Sequence, residues 1–203
     1  MKQSSETTRR GAKSRRELTA IAIDCFSRFG FQGTSVDRIA RMAGVTKGAI
    51  YYHFRDKKAL LAAAVADRVS EFETRVERAC SGADPEEALR RIGRVCIEHA
   101  RSNDHPRFIL TLMIESLETE REIAAQLRAM MRRFRAFLRN LIEDGRRRGC
   151  FREDVDPETL AADYTSSVLG AEIQFYQDPE RFPFDRTVNG YIERLLTDIR
   201  AAV

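Results

Sequence analysis

Lys47, Gly48, Tyr51, Tyr52 and His53 fall within seven residues and combine a point charge, a position without a side chain and three hydrogen-bonding rings. Displayed on the outer face of a helix, that set suits a nucleic acid. Lysine meets phosphate, glycine lets the backbone come close, and tyrosine hydroxyls and histidine nitrogens reach phosphate oxygens or base edges. Adjacent tyrosines on a helix point about 100° apart, so the two cannot be equally buried.

Such a helix must be held by a second one across a short turn. Ala40, Gly44 and Ile50 supply what a helix-turn-helix needs: a small residue at the crossing, a flexible one in the turn and an apolar one facing inward. Ser35 can cap the first helix, whose Val36, Ile39 and Ala40 form a buried stripe. Thr46 can cap the second, which buries Ala49, Ile50 and Phe54. A preceding helix from about Ala12 to Phe29 carries Leu18, Ile21, Ala22, Cys25, Phe26 and Phe29 at helical period, with Gly30 and Gly33 ending it.

The 27 residues from Thr34 to Leu60 resemble the DNA-reading motif of the TetR family of bacterial transcriptional regulators. The residues that carry the resemblance are Thr34, Ile39, Ala40, Ala43, Gly44, Val45, Gly48, Tyr51, His53, Phe54 and Lys57. Lys58 departs from it, since many members place an acid there; an added phosphate contact is the expected consequence. Residues and resemblance together give a DNA-contacting set of Thr34, Ser35, Thr46, Lys47, Gly48, Tyr51, Tyr52, His53 and Lys57. The resemblance implies an all-α fold of about nine helices. An N-terminal three-helix DNA-binding domain (1–58) precedes a larger effector-binding and dimerisation domain (59–203).

Charge follows the same division. Residues 1–58 hold 13 Lys and Arg against five Asp and Glu, whereas 59–203 hold 22 against 26, and all five lysines lie in the first part. A basic head on a mildly acidic body fits a chain that holds DNA at one end. The polar start, Met1 to Arg10, has no apolar run and reads as a disordered arm rather than a signal peptide. Its Arg9 and Arg10, with Lys13, Arg15 and Arg16, could follow the DNA backbone or enter the minor groove.

Beyond Lys58 the pattern stays helical. The periodicity predicts helices over about 57–80, 86–102, 106–117, 120–148, 157–176 and 185–201, punctuated by Gly82, Pro85, Gly149, Pro157, Pro179 and Pro183. The last two carry apolar stripes: Leu160, Tyr164, Val168, Ala171 and Phe175 on one, Val188, Tyr191, Ile192, Leu195, Leu196 and Ile199 on the other. The resemblance implies that these helices meet their symmetry mates in a four-helix bundle. On that reading Leu160, Tyr164, Val168, Phe175, Val188, Tyr191, Ile192, Leu195, Leu196 and Ile199 form a homodimer interface; use of both stripes by the chain's own core is the plainer alternative. Two heads on a two-fold axis would read a palindromic operator on double-stranded DNA, with half-sites ~34 Å or a multiple of that apart.

The resemblance further implies a small-molecule effector. His99, Phe108, Leu112, Met113, Phe134, Phe137, Tyr164, Ser167, Val168 and Phe175 are the candidate contacts, favouring an apolar or acyl-bearing ligand. Arg146, Arg147 and Arg148 could meet an anionic part such as a coenzyme A phosphate, although their place at a helix C-terminus has a simpler explanation in the helix dipole. No cofactor or metal is expected: Cys25, Cys80, Cys96 and Cys150 are far apart, and only His53, His99 and His105 are available as imidazoles. No run approaches the roughly 20 apolar residues of a membrane span, and a cytoplasmic location is expected. Phosphate-cradling, metalloprotease, hydrolase and di-iron signatures are lacking, so a regulator rather than an enzyme is anticipated. An architectural or activating DNA-binder without effector is the alternative, with a helical-bundle enzyme behind it.

Overall fold

The computed structural model describes residues 13–102, 106–115 and 121–201. Arg9 and Arg10 of the basic arm and His105 lie outside these residues. Among the described residues there are nine α-helices: α1 (Arg15–Phe29), α2 (Val36–Ala43), α3 (Lys47–His53), α4 (Lys57–Cys80), α5 (Pro85–Ala100), α6 (Arg107–Glu115), α7 (Arg121–Arg147), α8 (Pro157–Gln177) and α9 (Phe184–Ile199). The only extended pairing among them is an isolated antiparallel bridge, Phe151 to Arg200, which ties the end of α9 to the segment after α7.

Caps explain most boundaries. Ser14 and Glu17 form a reciprocal capping box on α1, with Ser14 accepting from the Glu17 amide and Glu17 accepting from the Ser14 amide. Asp84 and Asp156 cap α5 and α8, each followed by a proline whose missing N–H is no loss in the first turn. Gly149, at φ 71°, stops the chain after α7 in a backbone region that side chains with a Cβ disfavour.

The helices fall into two compact units. One comprises the described residues up to Ser70 with Arg107–Gln126; the other comprises Glu71–Pro106 with Leu127–Val203. Both α4 and α7 therefore contribute residues to each. In the first unit Leu18, Ala22, Ile23, Cys25, Phe26, Ile39, Ile50, Phe54, Leu60 and Leu61 are all buried. Periodicity places Ile21 and Phe29 on the buried face of α1, and the structure differs at both. Ile23 takes the inner position, and Phe29 stays largely exposed under the guanidinium of Arg38, 4.1 Å from its ring centre.

The second unit packs α5, α8 and α9 around one core. Gly93 on α5 allows a close approach: a Cβ there would collide with Ile192 Cδ1. Tyr164 is fully buried and donates its hydroxyl proton to the Leu89 carbonyl at 2.8 Å. The stripes expected to meet a symmetry mate are the ones that close this core. Tyr164, Val168, Phe175, Val188, Ile192, Leu195, Leu196 and Ile199 are buried within it, and Leu160 and Tyr191 pack against its edge. The physical reason is amphipathicity itself: a helix has one strongly apolar stripe, and the chain's own core has first claim on it. Among the residues α8 leaves to solvent are Ala162, Asp163, Ser166, Ile173 and Gln174, with Leu169 and Gly170 half-covered.

Leu196 is 1% exposed, so Leu196→Asp would bury an unpartnered charge and is expected to cost roughly 3 kcal/mol or more. Denaturant unfolding should register this as a loss of fold, whereas a dimer-only role would leave a stable monomer.

Candidate nucleic-acid interface

The head is built from the loop between α1 and α2 outward. Gly30 ends α1 at φ 68°, and the Thr34 hydroxyl turns inward to bond the carbonyls of Cys25 (3.1 Å) and Gly30 (2.7 Å). Lys57, at the start of α4, donates from Nζ to the carbonyls of Phe31 (2.8 Å) and Thr34 (3.0 Å), and its ammonium sits 4.1 Å from the Phe31 ring centre. The loop carbonyls of Gly30, Phe31 and Thr34 are thus met by a side chain of the loop itself and by one from α4. Thr34 and Lys57 were both expected to touch DNA. Thr34 is 1% exposed, and both residues are engaged in shaping the head.

Ser35 and Thr46 perform the capping their types suggest. Ser35 Oγ accepts from the Arg38 amide at 3.1 Å and Thr46 Oγ1 from the Ala49 amide at 3.2 Å. Between them Gly44 adopts the left-handed conformation, φ 66° and ψ 30°, and the Val45 amide returns to the Ala40 carbonyl at 3.0 Å. That turn aims α3 so that Ile50 is buried and the opposite face is free.

On the free face Tyr52 is 85% exposed and Tyr51 46% exposed. Gly48 is exposed as well, and His53 is half-buried with its ring edge-on to Tyr52 at 5.0 Å. Neither tyrosine is absorbed by packing. Lys47 reaches across the turn to Asp37 in the first turn of α2, with Nζ to Oδ2 at 2.9 Å. The Asp37 carboxylate beside it raises the Lys47 ammonium above its ordinary range, so the lysine stays fully charged at neutral pH. Exposed Arg41, in the last turn of α2, and Arg55, after α3, add positive charge that motif spacing did not single out. Their signal was only the charge bias of residues 1–58.

The expected effector contacts divide between the two units. Phe108, Leu112 and Met113 belong to the first, the first two buried and Met113 half-buried; the rest belong to the second. There His99 and Phe134 both pack on Phe72, at 5.3 and 5.9 Å between ring centres, while Phe137 and Ser167 are half-buried. Tyr164 and Val168 lie in the core, and Phe175 stacks on Phe184 at 4.8 Å. Two polar residues that periodicity did not reveal belong to the same unit. Tyr176 donates to Glu172 Oε1 at 2.7 Å, and burial pushes the Glu172 carboxyl above the usual carboxylate range. A charged residue on an apolar stretch of α8 has no distinctive spacing, which is why sequence alone passed over it. Burial also pushes the Cys96 thiol up to about 12, leaving it inert. The three arginines ending α7 are paired: Arg146 with Glu143 and the Glu153 carbonyl, Arg147 and Arg148 with Asp144.

Comparison with known proteins agrees with this geometry. The profile of bacterial regulatory proteins of the tetR family matches residues 18–64, and that of the tetracyclin repressor-like C-terminal domain matches residues 85–169. The transcriptional regulator AcrR of Shigella flexneri is 30% identical over 59% of this chain and 56% of its own length. The transcriptional repressor NicS of Pseudomonas putida is 28% identical over 70% of this chain and 68% of its own. The chain therefore aligns with just over half of the first of these relatives. A TetR transcriptional regulator from Chloroflexus aurantiacus superposes with a TM-score of 0.81 at 25% identity, covering 96% of this chain and all of that one. With a helix-turn-helix of this geometry and both halves matched, the chain belongs to the TetR family of bacterial regulatory proteins.

Proposed function

We propose that this protein is a ligand-responsive transcriptional regulator that grips a palindromic operator as a homodimer and represses until a small effector releases it. The observation that carries the reading is the outer face of α3: Lys47, Gly48, Tyr51 and Tyr52 stand exposed on a helix whose other side is fixed by Ile50. Lys47 supplies salt-sensitive affinity through phosphate, and Tyr51, Tyr52 and His53 supply hydrogen bonds to phosphates and base edges. Ser35 and Thr46 present the amide-rich starts of α2 and α3, and Arg41 and Arg55 widen the basic rim. Thr34 and Lys57 enter as residues that hold the head in shape.

For the homodimer, the outward face of α8 is the better candidate now that the strongly apolar stripes are used internally. Ala162, Ser166, Gly170 and Ile173 follow a spacing of about one turn, and small residues let a second helix approach closely. For the effector, the rings of Phe72 and Phe134 with His99, and the polar pair Glu172 and Tyr176, favour an apolar molecule carrying one hydrogen-bonding group, as an acyl compound does. Release requires that the effector prefer a head arrangement that cannot dock, with coupling no larger than that preference, typically ~1–3 kcal/mol. Because α4 contributes to both units, it is the candidate carrier of that coupling.

Lys47→Ala is expected to weaken binding to every duplex by a similar factor, because a phosphate contact carries no sequence information. Tyr51→Phe is expected to cost about 0.5–1.5 kcal/mol on the preferred duplex and little elsewhere. Fluorescence anisotropy across a salt series separates the two, and identical behaviour of both variants on all sequences would refute the division of labour. Ile173→Arg is expected to give a folded monomer with weak operator binding; sedimentation velocity unchanged from the parent would remove α8's outer face from the interface. Acyl compounds should raise the melting temperature and lower operator affinity together, and Glu172→Gln should diminish both responses. A metabolite panel that stabilises the protein without releasing DNA would count against the switch.

A further inference from the structure

The ion pair between Lys47 and Asp37 has a feature that helix stability does not explain. Asp37 lies in the first turn of α2, where the positive helix end welcomes a carboxylate. Lys47 is the first residue of α3, where the same field opposes a cation, and no acid stands in that helix's first turn. The two side chains are 49% and 60% exposed and span ten residues across the turn to meet at 2.9 Å. The lysine on the reading helix therefore already carries an internal substitute for phosphate before any DNA arrives.

We propose that Asp37 is an affinity-limiting residue of the DNA-binding head: a carboxylate that occupies Lys47 off DNA and must be exchanged for a backbone phosphate when the head docks. The inference rests on the DNA-binding reading of α3. An exposed ion pair is weak and labile in water, so the exchange presents little barrier. Its effect is on the balance. Each phosphate neutralised by a free lysine releases condensed counterions, whereas a lysine that leaves a carboxylate behind gains one charge contact and loses another. On mixed-sequence DNA, where α3 has no base contacts to favour docking, the pair holds affinity down. On a fitted site, base contacts hold α3 in the groove and drive the exchange. Asp37 thereby widens the gap between fitted and unfitted sites without touching a base.

The test uses the full-length protein and its variants Asp37→Asn, Lys47→Gln and the double substitution. Each is titrated against a mixed-sequence duplex and against the tightest duplex recovered by selection from a random pool, between about 50 and 200 mM salt. Asp37→Asn is expected to bind the mixed-sequence duplex more tightly at low salt, with a slope steeper by about 0.9, so that it loses roughly three- to fourfold more affinity than the parent across that range. The ratio between selected and mixed-sequence affinity should shrink. In the Lys47→Gln background the added slope should disappear. Melting temperatures of all four proteins exclude loss of fold as the cause.

Weaker binding by Asp37→Asn would overturn the proposal, because the carboxylate would then be orienting Lys47 toward DNA. Equal tightening with and without Lys47 would also overturn it, since Asp37 would then act by direct repulsion of phosphate. A parent protein that binds neither duplex at low salt removes the DNA-binding reading itself, a result distinct from a parent that binds while Asp37→Asn leaves slope and affinity unchanged.

Discussion

The carbonyls of the loop between α1 and α2 are the constraint on which the reading head depends. Three of them, at Gly30, Phe31 and Thr34, accept from the Thr34 hydroxyl or the Lys57 ammonium, and the same hydroxyl reaches the Cys25 carbonyl within α1. Backbone acceptors left unpaired in such a place would be costly, and the bonds from Lys57 fasten the start of α4 to the loop. The orientation of α2, the glycine turn and α3 follow from where that loop delivers the chain. The residues that look most like surface contacts in the motif, a threonine and a lysine flanking the helix pair, are those most committed to its interior geometry.

From that frame the chemistry of the exposed face is limited but well matched to a polyanion with patterned edges. Ile50 anchors α3 from beneath, and the short helix leaves no room for Tyr51 or Tyr52 to fold back onto the core. The rings stay out, with His53 edge-on to Tyr52, and a charge contact with Asp37 holds Lys47 at the rim. Positive charge thus sits around the hydrogen-bonding rings rather than among them.

The second unit follows a different logic. Its core is closed by close contact of α5 with α9 at Gly93 and Ile192 and by the buried Tyr164 hydroxyl on the Leu89 carbonyl. Once those contacts form, most of the apolar residues of α8 and α9 are enclosed in the chain's own core, with Leu160 and Tyr191 half-buried at its edge. Glu172 and Tyr176 are a polar pair within this helical unit, bonded to one another. A ligand with one polar group could draw on the same pair.

Order and period along the chain were enough to place the described helices and the Ser35 and Thr46 caps. Those depend on local rules: a serine, threonine or aspartate before a helix, a glycine after it, apolar residues every three or four positions. The basic character of residues 1–58 was equally plain, being a sum over side chains. What only the tertiary structure decided was direction. Periodicity says that a stripe is buried but not against what, so it could not separate Leu196 in its own core from Leu196 against a second copy, nor place Ile23 rather than Ile21 inside. Likewise the type of Thr34 or Lys57 permits a phosphate contact or a loop carbonyl with equal ease, and Lys47 gives no hint of Asp37 ten residues earlier. Those choices depend on pairs of groups brought together by the fold, and a linear chain carries no distances between them.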